Sequence, residues 1–336
     1  MATVLLIILA AILSFLLTGA ATWYAKRRGL LDHPGERHSH DVPTPRGGGA
    51  GIILALFVFV MAGFAVGGVG AFRTGPFTAL YVGIAVLALL GWWDDHHDLS
   101  AGFRFAVQLA VSIFLLSSFA KFGWVGNWVL GIAGVIFTAW MINLFNFMDG
   151  SNGMAAAQGL FAFAVLSWLF YLAGDISGAV LSLVLTGCCA GFLPWNLGKA
   201  RVFMGDVGSL ALGFAIAGLL VYGAGSGAFS LPVALMVMSL FLADGTLTLL
   251  RRILNGERWY NAHRQHLYQR IIARGWSHGG VLYLYQAINL VLVLPGIVIG
   301  VNHPDWAWPI ALVMGLVLGL GWYLSITRIG VLAEAG

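Results

Sequence analysis

Apolar residues occur along this chain in long runs that alternate with short polar connections. Each run is about 20 residues long, the length that an α-helix needs to cross the hydrocarbon core of a bilayer. The pattern predicts an all-α, polytopic membrane protein with about eleven transmembrane helices, with boundaries good to about three residues. The predicted spans are residues 3–25, 47–70, 78–93, 104–120, 127–145, 155–173, 177–197, 208–224, 230–250, 281–301 and 307–326.

Composition supports the same class. Of 336 residues, 60% are hydrophobic and only 9% are charged, and the mean hydropathy is +0.91. A soluble domain of this size needs more charge than that to cover its surface, so a soluble protein is excluded. Cys188 and Cys189 are neighbours inside an apolar run, where they are expected to be small buried hydrophobic residues with no disulfide or metal role.

The connections between the predicted spans are of two kinds. One set is very short and nearly uncharged: 71–77, 121–126, 174–176, 225–229 and 302–306. The other set is longer and polar: 26–46, 94–103, 146–154, 198–207 and 251–280. Apart from Arg73 and Lys121, the lysines and arginines of these connections lie in the polar set, which the positive-inside rule assigns to the cytoplasm.

This orientation places the N-terminus outside and the C-terminus inside, and it brings most acids and histidines to one membrane face. We therefore predict a single transmembrane catalytic domain over 1–336, in the inner membrane, with an active site built from the five polar loops. The net charge of +4 follows from topology and is not a sign of nucleic-acid binding. A secondary transporter is the alternative, but transporters place charges near the bilayer midplane and often contain inverted repeats, and neither feature is evident here.

Three carboxylates, Asp94, Asp95 and Asp98, crowd the end of the third predicted span. The C-terminus of a helix disfavours negative charge, and adjacent carboxylates repel one another. A divalent cation shared with phosphates is the leading candidate to offset this charge, with a solvated polar loop as the alternative.

Carboxamides and a carboxylate follow one another near the end of the fifth predicted span. Asn143 and Asn146 are three residues apart and share a helix face, which Asp149 continues if the helix persists. Such groups can orient a sugar or a uracil and reach a metal ion. A helix C-cap followed by a glycine and asparagine turn explains the same residues without a function.

Asp206 lies directly before another apolar run, where a helix N-cap explains it equally well. Together with the two other acidic loops on the same face, a metal ligand becomes the better interpretation. Asn196 lies at the end of the seventh predicted span, directly before the same connection.

Two segments carry positive charge suited to phosphate. The loop 251–280 contains a dense set of arginines with His266, although basic loops beside a membrane also bind anionic lipid. Arg46 is followed by three glycines, Gly47 to Gly49, where free amides at a helix N-terminus form an anion site or the glycines serve only helix packing.

In this order, the motifs resemble those of the polyprenyl-phosphate N-acetylhexosamine-1-phosphate transferases, over about residues 32–275. The resemblance rests on the arginine and glycine segment ending at Gly49, on Asp94-Asp95-x-x-Asp98 with Gln108, on Asn143-x-x-Asn146-x-x-Asp149-Gly150, on Phe203-Met204-Gly205-Asp206, on Asp244 with Arg251-Arg252, and on Arg264-Gln265-His266.

The resemblance implies that the lipid phosphate of a polyprenyl (undecaprenyl) phosphate attacks the β-phosphorus of a UDP-N-acetylhexosamine, giving polyprenyl-diphosphate-sugar and UMP. It implies Mg²⁺ as cofactor, with Mn²⁺ able to substitute, and it allows a homodimer in the bilayer. The implied catalytic residues are Asp94, Asp95, Asp149, Asp206 and His266, with Asp94, Asp95 and Asp206 at the metal. The implied substrate-binding residues are Arg46, Arg104, Asn143, Asn146, Asn196 and Arg264.

The chain departs from the family pattern at two places. Asn152 stands where many relatives carry a second acid, and the stretch His266-Leu267-Tyr268-Gln269 keeps only one histidine of a His-x-His-His motif. This stretch looks more like the branch that initiates O-antigen and related surface polysaccharides, whose substrates include N-acetylated 6-deoxyhexosamines. A peptidoglycan-type enzyme with a peptide-bearing muramyl substrate is the alternative within the family.

Overall fold

The computed structural model describes residues 2–32, 43–66, 75–119, 127–258 and 263–334. Within this part the chain is helical, apart from one short antiparallel pair of strands, β1 (Leu31–Asp32) and β2 (Thr44–Pro45). The helices are α1 Ala2–Arg28, α2 Ala50–Val66, α3 Gly75–His97, α4 Ala101–Ser118, α5 Trp128–Phe147, α6 Met154–Leu172, α7 Ile176–Asn196, α8 Asp206–Ser226, α9 Leu231–Val237, α10 Ser239–Leu254, α11 Leu267–Ala273, α12 His278–Ile288, α13 Leu294–Asn302 and α14 Ala307–Glu334.

The structure confirms the predicted class, an all-α polytopic membrane protein. Among the described residues, nine helices are long and apolar enough to cross a membrane, or ten if a bent pair counts as one span. Where they are described, the eleven predicted spans fall on helical segments, but the helix in the second, Ala50–Val66, has only 17 residues. The number eleven and the orientation stay predictions.

The ninth predicted span is not one straight helix, because α9 and α10 meet at an angle of 77°. The break lies at Met238, whose backbone leaves the helical conformation between the two helices. The bend turns the polar side chains of α10, with Asp244 and Arg252 buried, toward the helices that follow. Hydropathy reports the composition of a run and not its direction, so the sequence pattern does not reveal this bend.

Helix α8 is the centre of the bundle and is buried over most of its length. It packs against α3 and α5, while α1 packs against α7 and α2. Small residues allow these close approaches, as expected between membrane helices. At Gly191 of α7, for example, an added Cβ would overlap the backbone of Ala11 in α1.

The segment before α2 pairs with the segment before α8 through backbone hydrogen bonds. Phe203 N–H donates to Pro45 O (2.8 Å), and the N–H groups of Gly48 and Gly49 donate to Phe203 O and Met204 O (both 2.9 Å). This pairing ties two of the polar connections together and places the start of α8 beside Arg46 and the end of α3.

The predicted orientation is testable at two exposed positions in connections of opposite kinds. In a Cys188→Ala/Cys189→Ala background, Lys199→Cys should resist an impermeant thiol reagent in intact cells, because the polar loops are predicted to be cytoplasmic. Ser226→Cys, in the short connection 225–229, should be labelled. Both native cysteines are buried, so their replacement removes background without exposing a surface. The reverse labelling pattern would overturn the orientation.

Candidate active site

A polar cavity of about 460 Å³ opens where the five polar connections come together. Each of these connections contributes to its wall, as the sequence predicts. The cavity is lined by Asp32, Arg46, Asp95, Asn146, Phe147, Asp149, Gly150, Ser151, Asn152, Phe203, Gly205, Asp206, Arg264, Gln269, Ile272 and Ala273.

Asp94 lies behind the wall of this cavity and is paired within the protein. Its carboxylate accepts hydrogen bonds from Leu99 N–H (2.7 Å) and from the guanidinium of Arg104 (2.5 Å). Arg104 also contacts the carboxylate of Asp206 at 3.3 Å. Arg104 therefore holds two of the predicted metal ligands side by side. Its predicted substrate-binding role stays a prediction.

Asp95 is buried and its carboxylate lies at the N-terminus of α8. It accepts hydrogen bonds from the backbone N–H groups of Asp206 (3.3 Å) and Val207 (3.4 Å). The positive end of the α8 dipole stabilises this anion. The negative charge of the acids at the end of α3 is therefore offset by Arg104 and by the N-terminus of α8. The sequence analysis predicted neither contact. Gly91 permits this contact, because an added Cβ there would overlap the backbone of Asp206.

Asp206 is the first residue of α8, and the N-cap position belongs to Gly205. The N-cap alternative for Asp206 is therefore wrong. Gly205 has a φ of 73°, which favours glycine, and an added Cβ would contact the Asp95 carboxylate. The Asp206 side chain is partly exposed to the cavity and accepts a hydrogen bond from the Asn146 amide at 2.8 Å. Asn146 thus orients Asp206.

Asp149 follows α5 and faces the same cavity. Burial raises the pKa of its carboxyl group well above the usual range, and the nearby carboxylates of Asp206 and Asp95 raise it further. A hydrogen bond from Gly205 N–H opposes the shift. A positive charge entering the cavity would favour the anionic form of Asp149.

The donor set at this cavity fits a magnesium ion. Asp95, Asp149 and Asp206 offer only carboxylate oxygens, which Mg²⁺ prefers. In the described part of the chain, no three acidic, histidine or cysteine side chains are grouped closely enough to hold a metal ion by themselves. Mg²⁺ is usually held by one or two carboxylates together with water and substrate phosphates, so a pair of these residues is sufficient.

Two arginines supply positive charge in the same cavity as the carboxylates. Arg46 and Arg264 both line the cavity. The Nη2 atom of Arg264 is buried and has no hydrogen-bond partner among the described residues. A buried cationic donor without a partner is costly, and a phosphate oxygen would satisfy it.

The predicted anion site at the glycines after Arg46 is wrong. The N–H groups of Gly48 and Gly49 already donate to the carbonyl oxygens of Phe203 and Met204. The packing alternative is correct, because an added Cβ at Gly49 would overlap the backbone of Gly208.

Three other predicted site residues lie outside the cavity wall. Asn143 donates to the side chain of Gln108 at 2.6 Å. Asn196 is buried and joins two connections, accepting from Gly153 N–H (2.6 Å) and donating to Val202 O (2.8 Å). His266 is 97% hidden from solvent, and burial lowers its pKa. Their predicted contacts with substrate stay predictions.

A buried network around Asp244 anchors the loop that carries Arg264 and Gln269. One carboxylate oxygen of Asp244 accepts from Leu267 N–H (2.7 Å), and the other accepts from the Tyr285 hydroxyl (2.7 Å). Asp244, on α10, therefore accepts a hydrogen bond from a backbone N–H group at the N-terminus of α11. The sequence motif singled out Asp244, but nothing in it reveals these partners.

Tyr285→Phe should weaken this anchor. The variant leaves a buried carboxylate oxygen with one partner fewer, so we expect a loss of about 1 kcal/mol in stability. The change should lower the melting temperature by about 2 °C and raise the KM for the sugar donor more than it changes kcat. Tyr283→Phe, on the exposed side of the same helix, is the matched control and should change neither quantity. Equal behaviour of the two variants would contradict an anchoring role.

The cavity also includes residues that the sequence analysis did not select. Asp32, Ser151, Phe203 and Gln269 line it, as does Asn152. Asn152 and Gln269 belong to the two stretches in which the chain departs from the family pattern. That departure is the sequence feature that could have identified them as site residues. Asp32 was seen only as a cytoplasmic acid, because β1 brings it into the site through long-range pairing.

A bundle of long apolar helices with acids and arginines lining one polar cavity suits phosphorylated substrates. Comparison with known proteins supplies the family. Residues 77–224 match the family model described as Glycosyl transferase family 4.

Relatives match over most of the chain. A probable undecaprenyl-phosphate N-acetylglucosaminyl 1-phosphate transferase of Bacillus subtilis is 30% identical over 283 residues, 81% of this chain and 77% of the relative. A decaprenyl-phosphate N-acetylglucosaminephosphotransferase of Mycobacterium tuberculosis is 33% identical, covering 84% and 79%. An undecaprenyl-phosphate alpha-N-acetylglucosaminyl 1-phosphate transferase of Escherichia coli K12 is 27% identical, covering 84% and 80%.

The chain belongs to the polyprenyl-phosphate N-acetylhexosamine-1-phosphate transferase family. It is a sugar-1-phosphate transferase, which confirms the enzyme prediction over the transporter alternative.

Proposed function

We propose that this protein transfers N-acetylglucosamine 1-phosphate from UDP-N-acetylglucosamine to a polyprenyl phosphate and releases UMP. The observation that carries the proposal is the cavity whose lining brings Asp149 and Asp206 together with Arg46 and Arg264. Acids and arginines in one cavity suit a diphosphate with a divalent cation, the charge pattern of a nucleotide sugar at a phosphoryl-transfer site. The names of the three relatives supply the sugar and the lipid acceptor.

The transfer needs no covalent change in the protein. An oxygen of the acceptor phosphate bonds to the β-phosphorus of the nucleotide sugar as the bond from that phosphorus to the bridging oxygen breaks. The bridging oxygen leaves with UMP. A phosphate monoester with a second pKa of about 6 is mostly dianionic at neutral pH, so no protein base is required for the attack.

Each wall of the cavity has a role in positioning and charge balance. Arg264, with its buried unpartnered nitrogen, binds a phosphate oxygen of the donor, and Arg46 binds the acceptor phosphate. Asn146 holds the Asp206 carboxylate toward the cavity. Asp206 and Asp149 would hold Mg²⁺, which when bound neutralises charge on the transferring phosphates.

Assaying UMP release by the purified protein tests the proposal. UDP-N-acetylglucosamine and undecaprenyl phosphate together should give UMP in a Mg²⁺-dependent reaction, and omission of either substrate should abolish it. Chelation with EDTA should stop turnover, and Mg²⁺ or Mn²⁺ should restore it. Absence of UMP with every UDP-sugar tried would reject the proposal, and preference for a muramyl-pentapeptide donor would favour the peptidoglycan-type alternative.

We further propose that the product primes a surface polysaccharide such as O-antigen and that the site faces the cytoplasm at the inner membrane. A 6-deoxy N-acetylhexosamine is the second candidate donor, because the stretch around Gln269 departs from the family pattern toward that branch. Tyr268 is not available to contact the sugar. It is fully buried, and its hydroxyl donates to Phe147 O at 2.9 Å.

Gln269→Ala should change the ranking of donors. If the amide of Gln269 binds the C6 hydroxyl, the variant should lose about tenfold in kcat/KM with UDP-N-acetylglucosamine and little with the 6-deoxy sugar. Gln265→Ala is the control, since its amide contacts Glu257 (2.8 Å) and lies outside the cavity wall. An unchanged ranking would remove Gln269 from sugar recognition and direct attention to residues 146–154.

A further inference from the structure

Two walls of the polar cavity come from segments that are far apart in the chain. One is the turn 149–153, four residues of which line the cavity, and the other is the loop that carries Arg264 and Gln269. The turn contains Gly150 and Gly153, and Gly153 has a φ of 75°. Glycine loses more conformational freedom on folding than any other residue, so contacts from other segments have to hold such a turn in place.

Helix α12 contacts the turn 149–153 at two points. Ser151 Oγ and His278 Nδ1 lie 2.9 Å apart and share a hydrogen bond. One helical turn further along, Leu282 packs so closely that a Cβ added at Gly153 would lie 3.0 Å from its side chain. His278 and Leu282 are four residues apart and therefore lie on the same face of α12. This face of the helix holds the first wall of the cavity.

The same helix also holds the second wall. The Tyr285 hydroxyl donates to Asp244 at 2.7 Å, and Asp244 accepts from Leu267 N–H at the start of α11. Tyr285 lies seven residues after His278, which is about two helical turns, so the two side chains share a face. One helix therefore bonds both walls, the first directly through His278 and the second through Asp244.

The start of α12 is fixed well enough to position a side chain. Ser277 is its N-cap, and the Ser277 hydroxyl accepts from Gly280 N–H at 3.0 Å. Val281 and Leu282 are buried in the next turn of the helix. His278, the first residue of the helix, therefore projects from a capped and packed turn, and its ring presents Nδ1 to Ser151 at a defined place.

We propose that α12 sets the separation of the two walls between which the nucleotide sugar binds, and that His278 is a positioning residue that acts through Ser151. This inference rests on the proposed function, which assigns Arg264 to the donor and Arg46 to the acceptor phosphate. Loss of the hydrogen bond from His278 releases the turn 149–153 on the donor side of the cavity. Donor binding should therefore weaken while acceptor binding does not change.

Replacing the imidazole tests the proposal by kinetics. His278→Phe keeps a ring but removes the nitrogen that bonds Ser151, so it should raise the KM for UDP-N-acetylglucosamine about fivefold and leave the KM for undecaprenyl phosphate unchanged. His278→Asn retains a polar atom for the Ser151 hydroxyl and should recover most of the loss. His303→Phe, at an exposed position in the connection 302–306, is the matched control and should behave as wild type. An equal rise in both KM values would contradict a role on the donor side.

A double-variant comparison shows whether His278 acts through Ser151. Ser151→Ala is a smaller change that removes the same hydrogen bond, so it tests the proposal even if His278→Phe does not fold. Ser151→Ala and Ser151→Ala/His278→Phe should both raise the donor KM by the same factor as His278→Phe, whereas independent effects would multiply to about 25-fold. Titration calorimetry with UDP-N-acetylglucosamine should give the same ratios of affinity without turnover.

Two kinds of failure are distinguishable. Multiplied effects in the double variant, or wild-type donor KM values for His278→Phe and Ser151→Ala in a protein that releases UMP, would overturn the positioning role and leave the proposed function intact. Failure of the wild type to release UMP with any acceptor would instead overturn the proposed function.

Discussion

Asp206→Asn should abolish transfer while the protein remains folded. Loss of one charge that stabilises a phosphoryl-transfer site is expected to lower kcat by about 10²–10³-fold. Asparagine keeps the size of the side chain and can still accept the hydrogen bond from Asn146. The substitution removes a favourable charge at the α8 N-terminus, worth about 0.3–1 kcal/mol, but it also removes repulsion from Asp95 and Asp149. The melting temperature should therefore change little.

A matched control separates this effect from helix capping. Asp175 is the N-cap of α7, and its carboxylate accepts from Gly178 N–H at 2.9 Å. Asparagine is as good an N-cap as aspartate, so Asp175→Asn should keep both stability and activity. UMP release at saturating Mg²⁺ and thermal unfolding should be measured for both variants. Near-normal turnover by Asp206→Asn would mean that Asp206 only begins a helix.

The class of fold and the location of the site could be predicted because both follow from composition along the chain. Apolar runs mark the helices, and lysines and arginines mark the loops that share one face. The cavity indeed draws residues from all five polar loops. Such a prediction needs only the order of apolar and polar segments, since antiparallel helices joined by short turns return alternate connections to the same end.

The partners of the site residues could not be predicted, because they depend on contacts between distant segments. Asp95 accepts hydrogen bonds from residues 111 and 112 positions later in the chain. Periodicity carries no information about such a pair. For the same reason the sequence predicts that the backbone N–H groups of Gly48 and Gly49 are free to bind an anion. In the fold they donate hydrogen bonds to the carbonyl oxygens of Phe203 and Met204.

The bent helix gives a second example of this limit. The ninth predicted span, 230–250, contains Asp244. In a straight helix there, a buried carboxylate would have no evident partner. The 77° bend instead brings it to the N-terminus of α11 and to Tyr285. A buried carboxylate in an apolar run thus indicates a polar partner, but the sequence cannot show which segment provides it.

Asp149→Asn should separate stability from function at the same cavity. Burial and two neighbouring carboxylates disfavour the Asp149 anion, so its neutral isostere should match or exceed the wild-type melting temperature in the absence of metal. Activity should nevertheless fall by about 10²–10³-fold, because the variant lacks a negative charge that would hold the cation beside the transferring phosphates. A residue that lowers the stability of the protein without ligand and is nevertheless essential for catalytic activity is the expected signature of a functional site.

Magnesium-dependent stability provides the direct measurement. A ligand at 100 times its dissociation constant stabilises a protein by about 2.7 kcal/mol, so wild type should melt at a higher temperature in Mg²⁺ than in EDTA. Asp149→Asn and Asp206→Asn should both show a smaller increase, whereas Asp175→Asn should show the full one. If Asp149→Asn loses activity but keeps the full increase, Asp149 contacts the nucleotide sugar and not the metal. If it keeps both, the Asp149 carboxylate is not needed for catalysis, and Asp206 and Asp95 are left to hold the cation.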